Sequence, residues 1–216
     1  MRLERYNQYF FHGWGDILTV EDFEYGYIPI PKCASTLLKN YFTQNFNFTK
    51  GFNYKNFKNK RYVVCLRDPI DRWFSGVTEY FFRFHQDIMQ KENSDVIKFI
   101  CDRKFFDEHT ELQRNFLEGL DTDQITFFYM DKNLIPNLEH FVSCKFRDLN
   151  HKRINAKNLR NNYMYYSPEK IRFFNVLKQY ATENTNFIES LTSFYQHDYD
   201  LIKRVRFYDR NDTDIL

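Results

Sequence analysis

Short runs of aromatic and β-branched residues alternate along this chain with longer stretches whose apolar positions recur at helical spacing. Residues 23–30 are of the first kind and run into Pro29 and Pro31, which predicts a strand ending in a loop. Ser35 and Thr36 then precede Leu37, Leu38, Tyr41 and Phe42, a spacing that lays one apolar stripe along a helix. The unbroken apolar run within residues 61–66 predicts a strand buried on both faces, as in a parallel sheet. Beyond Pro69, the positions of Trp73, Val77, Phe81, Phe84 and Ile88 predict one long helix. Further helices are expected over 94–101, 110–119 and near 134–143, with a strand over 125–129. Residues 147–166 are polar, basic and without period, which predicts a loop. Ser167, Pro168 and Glu169 then open a long helical region as N-cap, first helical residue and dipole partner. This alternation predicts an α/β fold, a mainly parallel central sheet flanked by helices, in a single domain over 1–216 with its motif-bearing core at about 23–208.

Charge narrows the classes of partner. With 31 basic and 29 acidic side chains the net charge is only +2, which excludes a protein built to coat nucleic acid but leaves room for a local anion site. Aromatic residues reach 20%, with 25 Phe and 16 Tyr against 6 Gly, a bias toward residues with AT-rich codons that suggests a bacterial or viral origin. Most of these rings are expected to fill core positions. Cys33, Cys65, Cys101 and Cys144 show no CxxC pair or metal-ligand spacing, as expected of reduced thiols in a cytoplasmic protein. No window offers the run of about 20 apolar residues that a membrane helix needs, so no membrane span is expected.

Two strand-to-helix turns carry the candidate chemistry. In Pro31-Lys32-Cys33-Ala34-Ser35-Thr36 a strand feeds a loop with one lysine and two hydroxyls, and the loop opens a helix. Helix-start amides, the helix dipole, a point charge and hydroxyls suit a phosphate or sulfate. A plain connection, with Ser35 as an N-cap and Lys32 in solvent, would look the same. The Walker A glycines are missing and only Asp131 is placed as a loose magnesium ligand, which argues against a kinase. In the second turn, Arg67 stands at the carboxyl end of the buried strand, where ligands bind in open α/β sheets. Ser75 follows on the next helix, and a guanidinium with a hydroxyl clamps a phosphate dianion well. Arg72 in the same segment reads as structural.

Together the two turns resemble the donor-binding motifs of the sulfotransferases that use 3′-phosphoadenosine-5′-phosphosulfate (PAPS), the carbohydrate-type families above all. Pro31–Thr36 is similar to their 5′-phosphosulfate loop, P-K-x-x-[ST]-[ST], and Arg67–Ser75 to their 3′-phosphate motif, R-D-P-x-x-R-x-x-S. The later run Tyr195-Gln-His-Asp-Tyr is similar to the Y-x-x-D-[YF] pattern that closes many of these domains. The resemblance implies a P-loop-like three-layer sandwich and a transfer to a hydroxyl of a sugar, lipid or small metabolite. It leaves adenosine 3′,5′-diphosphate and needs no metal. Pro31, Lys32, Cys33, Ala34, Ser35 and Thr36 would hold the 5′ end, Lys32 also serving catalysis, while Arg67 and Ser75 hold the 3′-phosphate. Lys152 and Arg153, in the basic loop 151–155, would close over the nucleotide, the alternative being a solvated basic turn.

The general base departs from the family pattern, because residues 37–66 contain no Asp, Glu or His. The candidates are His109, otherwise a surface residue beside a Thr110–Gln113 capping box; His85, otherwise exposed near a helix end; and Glu79, otherwise a surface partner of Arg83. A small-molecule kinase and a nucleotide-binding domain without catalysis remain the alternatives.

Overall fold

The computed structural model describes residues 17–20, 25–45, 48–52, 61–89, 94–145 and 167–212. Its sheet has two halves of different construction. Strands β1 (Ile17–Val20) and β2 (Tyr25–Ile28) pair antiparallel, because residues 21–24 are too few for a crossover, which takes about a dozen. After helix α1 (Ser35–Asn45), β3 (Phe48–Phe52) adds to the far side of β1, also antiparallel. On the other side, β4 (Arg61–Leu66) and β5 (Ile125–Tyr129) continue the sheet in parallel, giving the order β3-β1-β2-β4-β5. The fold is thus α/β, as expected, but its parallel part is three strands wide. The mainly parallel sheet read from the sequence is corrected by β1 and β3, both short and without a clear alternation.

The parallel half places the turns of interest. Tyr27 pairs with Val63 and Val63 with Thr126, so β2, β4 and β5 point the same way and their carboxyl ends share one edge. Side chains alternate across this half. Ile28, Tyr62, Val64, Leu66, Ile125 and Phe127 pack on one face with Phe116, Leu117 and Leu201. Tyr27, Val63, Cys65 and Phe128 pack on the other with Leu38, Tyr41 and Phe42 of α1 and Leu134 and Leu138 of α5 (Leu134–Val142). Both faces are covered, which explains the unbroken apolar run of β4.

A second apolar body is mainly helical. Helix α2 (Pro69–Phe84), α4 (Ser94–Asp102), α6 (Pro168–Glu183) and α7 (Thr185–Phe194) join through Trp73, Val77, Phe81, Ile100, Leu177 and Leu191. The expected start of α6 is found, Ser167 accepting a hydrogen bond from the Lys170 amide at 3.1 Å. Helix α2 is shorter than its stripe predicts. It stops at Phe84, His85 turns the chain, Ile88 belongs to the separate turn α3 (Gln86–Met89), and Phe84 is 62% exposed.

Residues 110–119 hold a 3₁₀ turn, Gln113–Leu117, instead of the expected α-helix. Its first amides are capped from far along the chain by Asp198 on α8 (Gln196–Arg204), and Gly119 leaves it at φ 83°. The predicted loop 147–166, with Lys152 and Arg153, lies wholly outside the described residues. Among the described residues no helix is long and apolar enough to cross a membrane.

Candidate functional site

The loop between β2 and α1 is the most constrained backbone described. Lys32 and Ala34 both adopt left-handed conformations, at φ 65° and 55°, although neither is glycine. Each costs about 1–2 kcal/mol relative to the right-handed form. Left-handed residues alternating with Pro31 and Cys33 curl the chain into the concave backbone form that receives anions. Helix α1 starts at Ser35, and its first helical bond runs from the Leu38 amide to the Ala34 carbonyl at 2.9 Å. The amides of Ser35, Thr36 and Leu37 therefore have no acceptor within the helix. Ser35 is the first helical residue and not the N-cap read from the sequence. The hydroxyls of Ser35, Thr36 and Ser75 make no hydrogen bond among the described residues.

The two turns expected from sequence are neighbours. Arg67 leaves the end of β4 beside the end of β2, and its Nη1 donates to the Lys32 carbonyl at 3.3 Å. Ser75 sits half-buried on α2, which starts from the same turn. Asp68 caps that helix by accepting from the Asp71 amide at 2.9 Å, and Pro69 opens it.

Arg72 is fully buried and works on the backbone. Its Nε donates to Pro31 O at 2.9 Å, Nη2 to Glu108 O at 3.1 Å, and Nη1 to Glu111 O. One guanidinium thus fixes the loop at Pro31 against the segment 108–111, which supports its structural reading.

A residue that sequence reasoning misplaced joins both turns. Gln113 was explained by a capping box with Thr110, but no such box forms. Thr110 Oγ1 instead accepts from the amides of Phe106 and Asp107. The Gln113 Oε1 accepts from the Arg67 amide at 2.9 Å and from the Cys33 thiol at 3.1 Å, while Nε2 donates to Arg67 O at 2.8 Å. Asp198 accepts from the backbone amides of Gln113 at 2.9 Å and Arg114 at 3.0 Å. The flanking tyrosines act likewise, Tyr195 donating to Thr110 O and Tyr199 to Asp68 Oδ2. Tyr195, Asp198 and Tyr199 therefore brace the turns at 67–68 and 110–114. Burial pushes the Asp198 carboxyl up to about 6 against the pull of those amides and Arg72, and pushes the Cys33 thiol up to about 11.

The three base candidates fare differently. His85 caps α2 and contacts Tyr80 Oη at 3.3 Å, with no described link to the anion loop. His109 is 7% exposed and not the surface residue expected. Its Nδ1 meets Asp107 Oδ2 at 2.9 Å, and its carbonyl lies against Gly76 of α2. Asp107, Glu108 and His109 also place ligand atoms within 4.8 Å of one another, but Asp107 is already engaged by both the ring and the amide of His109.

Glu79 departs furthest from its expected surface pairing. It is 3% exposed and accepts from Arg83 at 2.6 Å, from Lys32 at 3.2 Å and from Lys170 of α6. Burial raises its pKa, but the three cations outweigh burial and hold it at about 2. Burial also lowers the pKa of Lys32. Glu79 opposes that shift, while Lys170 and Arg83 add to it.

Chemically, the edge of the parallel half offers an anion cradle at Pro31–Thr36, one lysine at its mouth, a guanidinium and a hydroxyl at the next turn, and a buried acid–histidine pair behind α2. No family model, curated protein or solved structure matches this chain.

Proposed function

We propose that this chain is a PAPS-dependent sulfotransferase whose donor lies along the carboxyl ends of β2 and β4, in a sheet of the P-loop-like three-layer kind. The observation that carries the reading is the contact between the two motif turns. Two anion-holding turns joined by Arg67 Nη1 and Lys32 O suit a ligand with an anionic group at each end.

Bound PAPS supplies an activated sulfuryl group whose departure leaves negative charge on the 5′-phosphate. The unpaired amides at the start of α1, with the hydroxyls of Ser35 and Thr36, bind that phosphate. Lys32 neutralises the charge as it grows, an interaction stronger in the transition state than in the ground state, so it raises rate and not only affinity. Arg67 and Ser75 take the 3′-phosphate and select this nucleotide over those that lack it. His109 takes the proton of the acceptor hydroxyl, with Asp107 holding Nδ1 so that Nε2 is the basic atom. The acceptor is a small molecule or a carbohydrate.

Thermal-shift titration tests the donor side. Adenosine 3′,5′-diphosphate raises the melting temperature strongly, while AMP and magnesium ATP raise it little. A larger shift with magnesium ATP overturns the reading in favour of a kinase.

A further inference from the structure

Lys32, the cation that the proposed reaction uses, does not point into open solvent. Its ammonium is held at 3.2 Å by Oε2 of Glu79, and its side chain is 18% exposed. The same oxygen is held by Lys170 from the first turn of α6, and the other oxygen by Arg83 at 2.6 Å. Three cations converge on one buried carboxylate. Lys170 is there against three physical preferences: it is 8% exposed, it lies beside a second lysine, and it occupies the positive end of a helix dipole. An ion pair serving stability alone would need one partner for Glu79. The surplus has a use if one of the cations must leave.

We infer that Glu79 is the positioning residue of Lys32, holding its ammonium at the mouth of the Pro31–Thr36 loop until an anion arrives, and that Lys170 and Arg83 keep the carboxylate paired once Lys32 has swung to the anion. A buried carboxylate stripped of its only partner would oppose the swing, and the added cations remove that opposition. Glu79 has a second effect. Burial, Lys170 and Arg83 all favour loss of the Lys32 proton, and Glu79 opposes them, so the same contact keeps the lysine charged between turnovers. Among the described residues, the only other charged group touching this residue is Arg67, through the Lys32 carbonyl. The inference rests on the sulfotransferase reading only in naming the anion as the donor's phosphosulfate; the hand-over itself needs an anion in the loop.

Calorimetric titration of the full chain with adenosine 3′,5′-diphosphate and, separately, with inorganic pyrophosphate tests it across about pH 6.5 to about pH 9.5. Glu79→Gln, freed of the competing carboxylate, binds both roughly tenfold tighter at the acid end, and its affinity falls off about one pH unit earlier on the alkaline side. Lys170→Met binds both roughly tenfold more weakly, because Lys32 must now leave a carboxylate held by Arg83 alone. Wild-type affinity and pH dependence in both variants overturn the hand-over. Should Glu79→Gln not fold, Lys170→Met decides by itself. Binding of pyrophosphate without adenosine 3′,5′-diphosphate refutes the donor reading and leaves the hand-over to be read from pyrophosphate. Binding of adenosine 3′,5′-diphosphate with unaltered variants does the reverse. A wild type that binds neither overturns both.

Discussion

Lys32 meets two unfavourable demands at once: a left-handed backbone and a largely buried ammonium. Both are met by neighbours, the backbone by Arg72 and Arg67 gripping the carbonyls of Pro31 and Lys32, the charge by Glu79. Lys32→Ala removes the ammonium with its stem and leaves Glu79 to Lys170 and Arg83, so transfer from labelled PAPS falls by about a hundredfold or more while affinity for adenosine 3′,5′-diphosphate drops far less. His109→Ala lowers turnover by about a hundredfold without changing donor affinity. Unchanged turnover in that variant removes His109 from the reaction. Arg67→Ala weakens adenosine 3′,5′-diphosphate binding by about ten- to a hundredfold and AMP binding less, since AMP loses only the hold on the Lys32 carbonyl, a difference that calorimetry reads directly.

Between elements, close backbone approach and remote capping hold the site together. Helix α2 presses Gly76 against the His109 carbonyl, where a β-carbon would overlap the carbonyl oxygen and lie 2.8 Å from its carbon. Gly76→Ala forces α2 and the 107–111 segment apart and lowers stability by about 1–3 kcal/mol in denaturant titration. Helix α8 brings Asp198 to two buried amides of the 3₁₀ turn. Asp198→Ala leaves both amides unpaired and lowers stability by about 2–4 kcal/mol. It also loosens Gln113 and with it Arg67 and Cys33, so donor affinity falls in a residue that touches no ligand.

For the molecule as a whole, the buried network around Glu79 ties the parallel half of the sheet to the helical body through α2 and α6. The carboxyl is held at about 2, below its ordinary 4.5, so ionised Glu79 favours the folded state. The unfolded chain takes up this proton first as the pH falls. The contribution is therefore complete above about pH 4.5 and is lost as the pH drops toward 2. Denaturant titration at pH 7 and near pH 3 measures this loss in the wild type. Glu79→Gln is less stable at pH 7, and its stability falls less between the two.

Strand β4, helix α1, β5 and the capped start at Ser167 were legible in the sequence because each rests on local causes: an apolar run, a stripe at helical spacing, a Ser-Pro-Glu signal. The two strand-to-helix turns were legible for the same reason, since loop and helix start are contiguous in the chain. Strands β1 and β3 were not, because they are short and owe their place to pairing with each other. The true partners of Gln113 and Glu79 were equally hidden. A local pattern offered each a nearby mate: Thr110 does not pair with Gln113, which burial gives to Arg67, Cys33 and Asp198, and Arg83 does hold Glu79, to which burial adds Lys32 and Lys170. The sequence by itself determined which groups the two turns carry and that each turn joins a strand to a helix. Only the tertiary structure decided which groups stand against them, because a buried polar group takes whichever partner the packing of distant segments brings within reach.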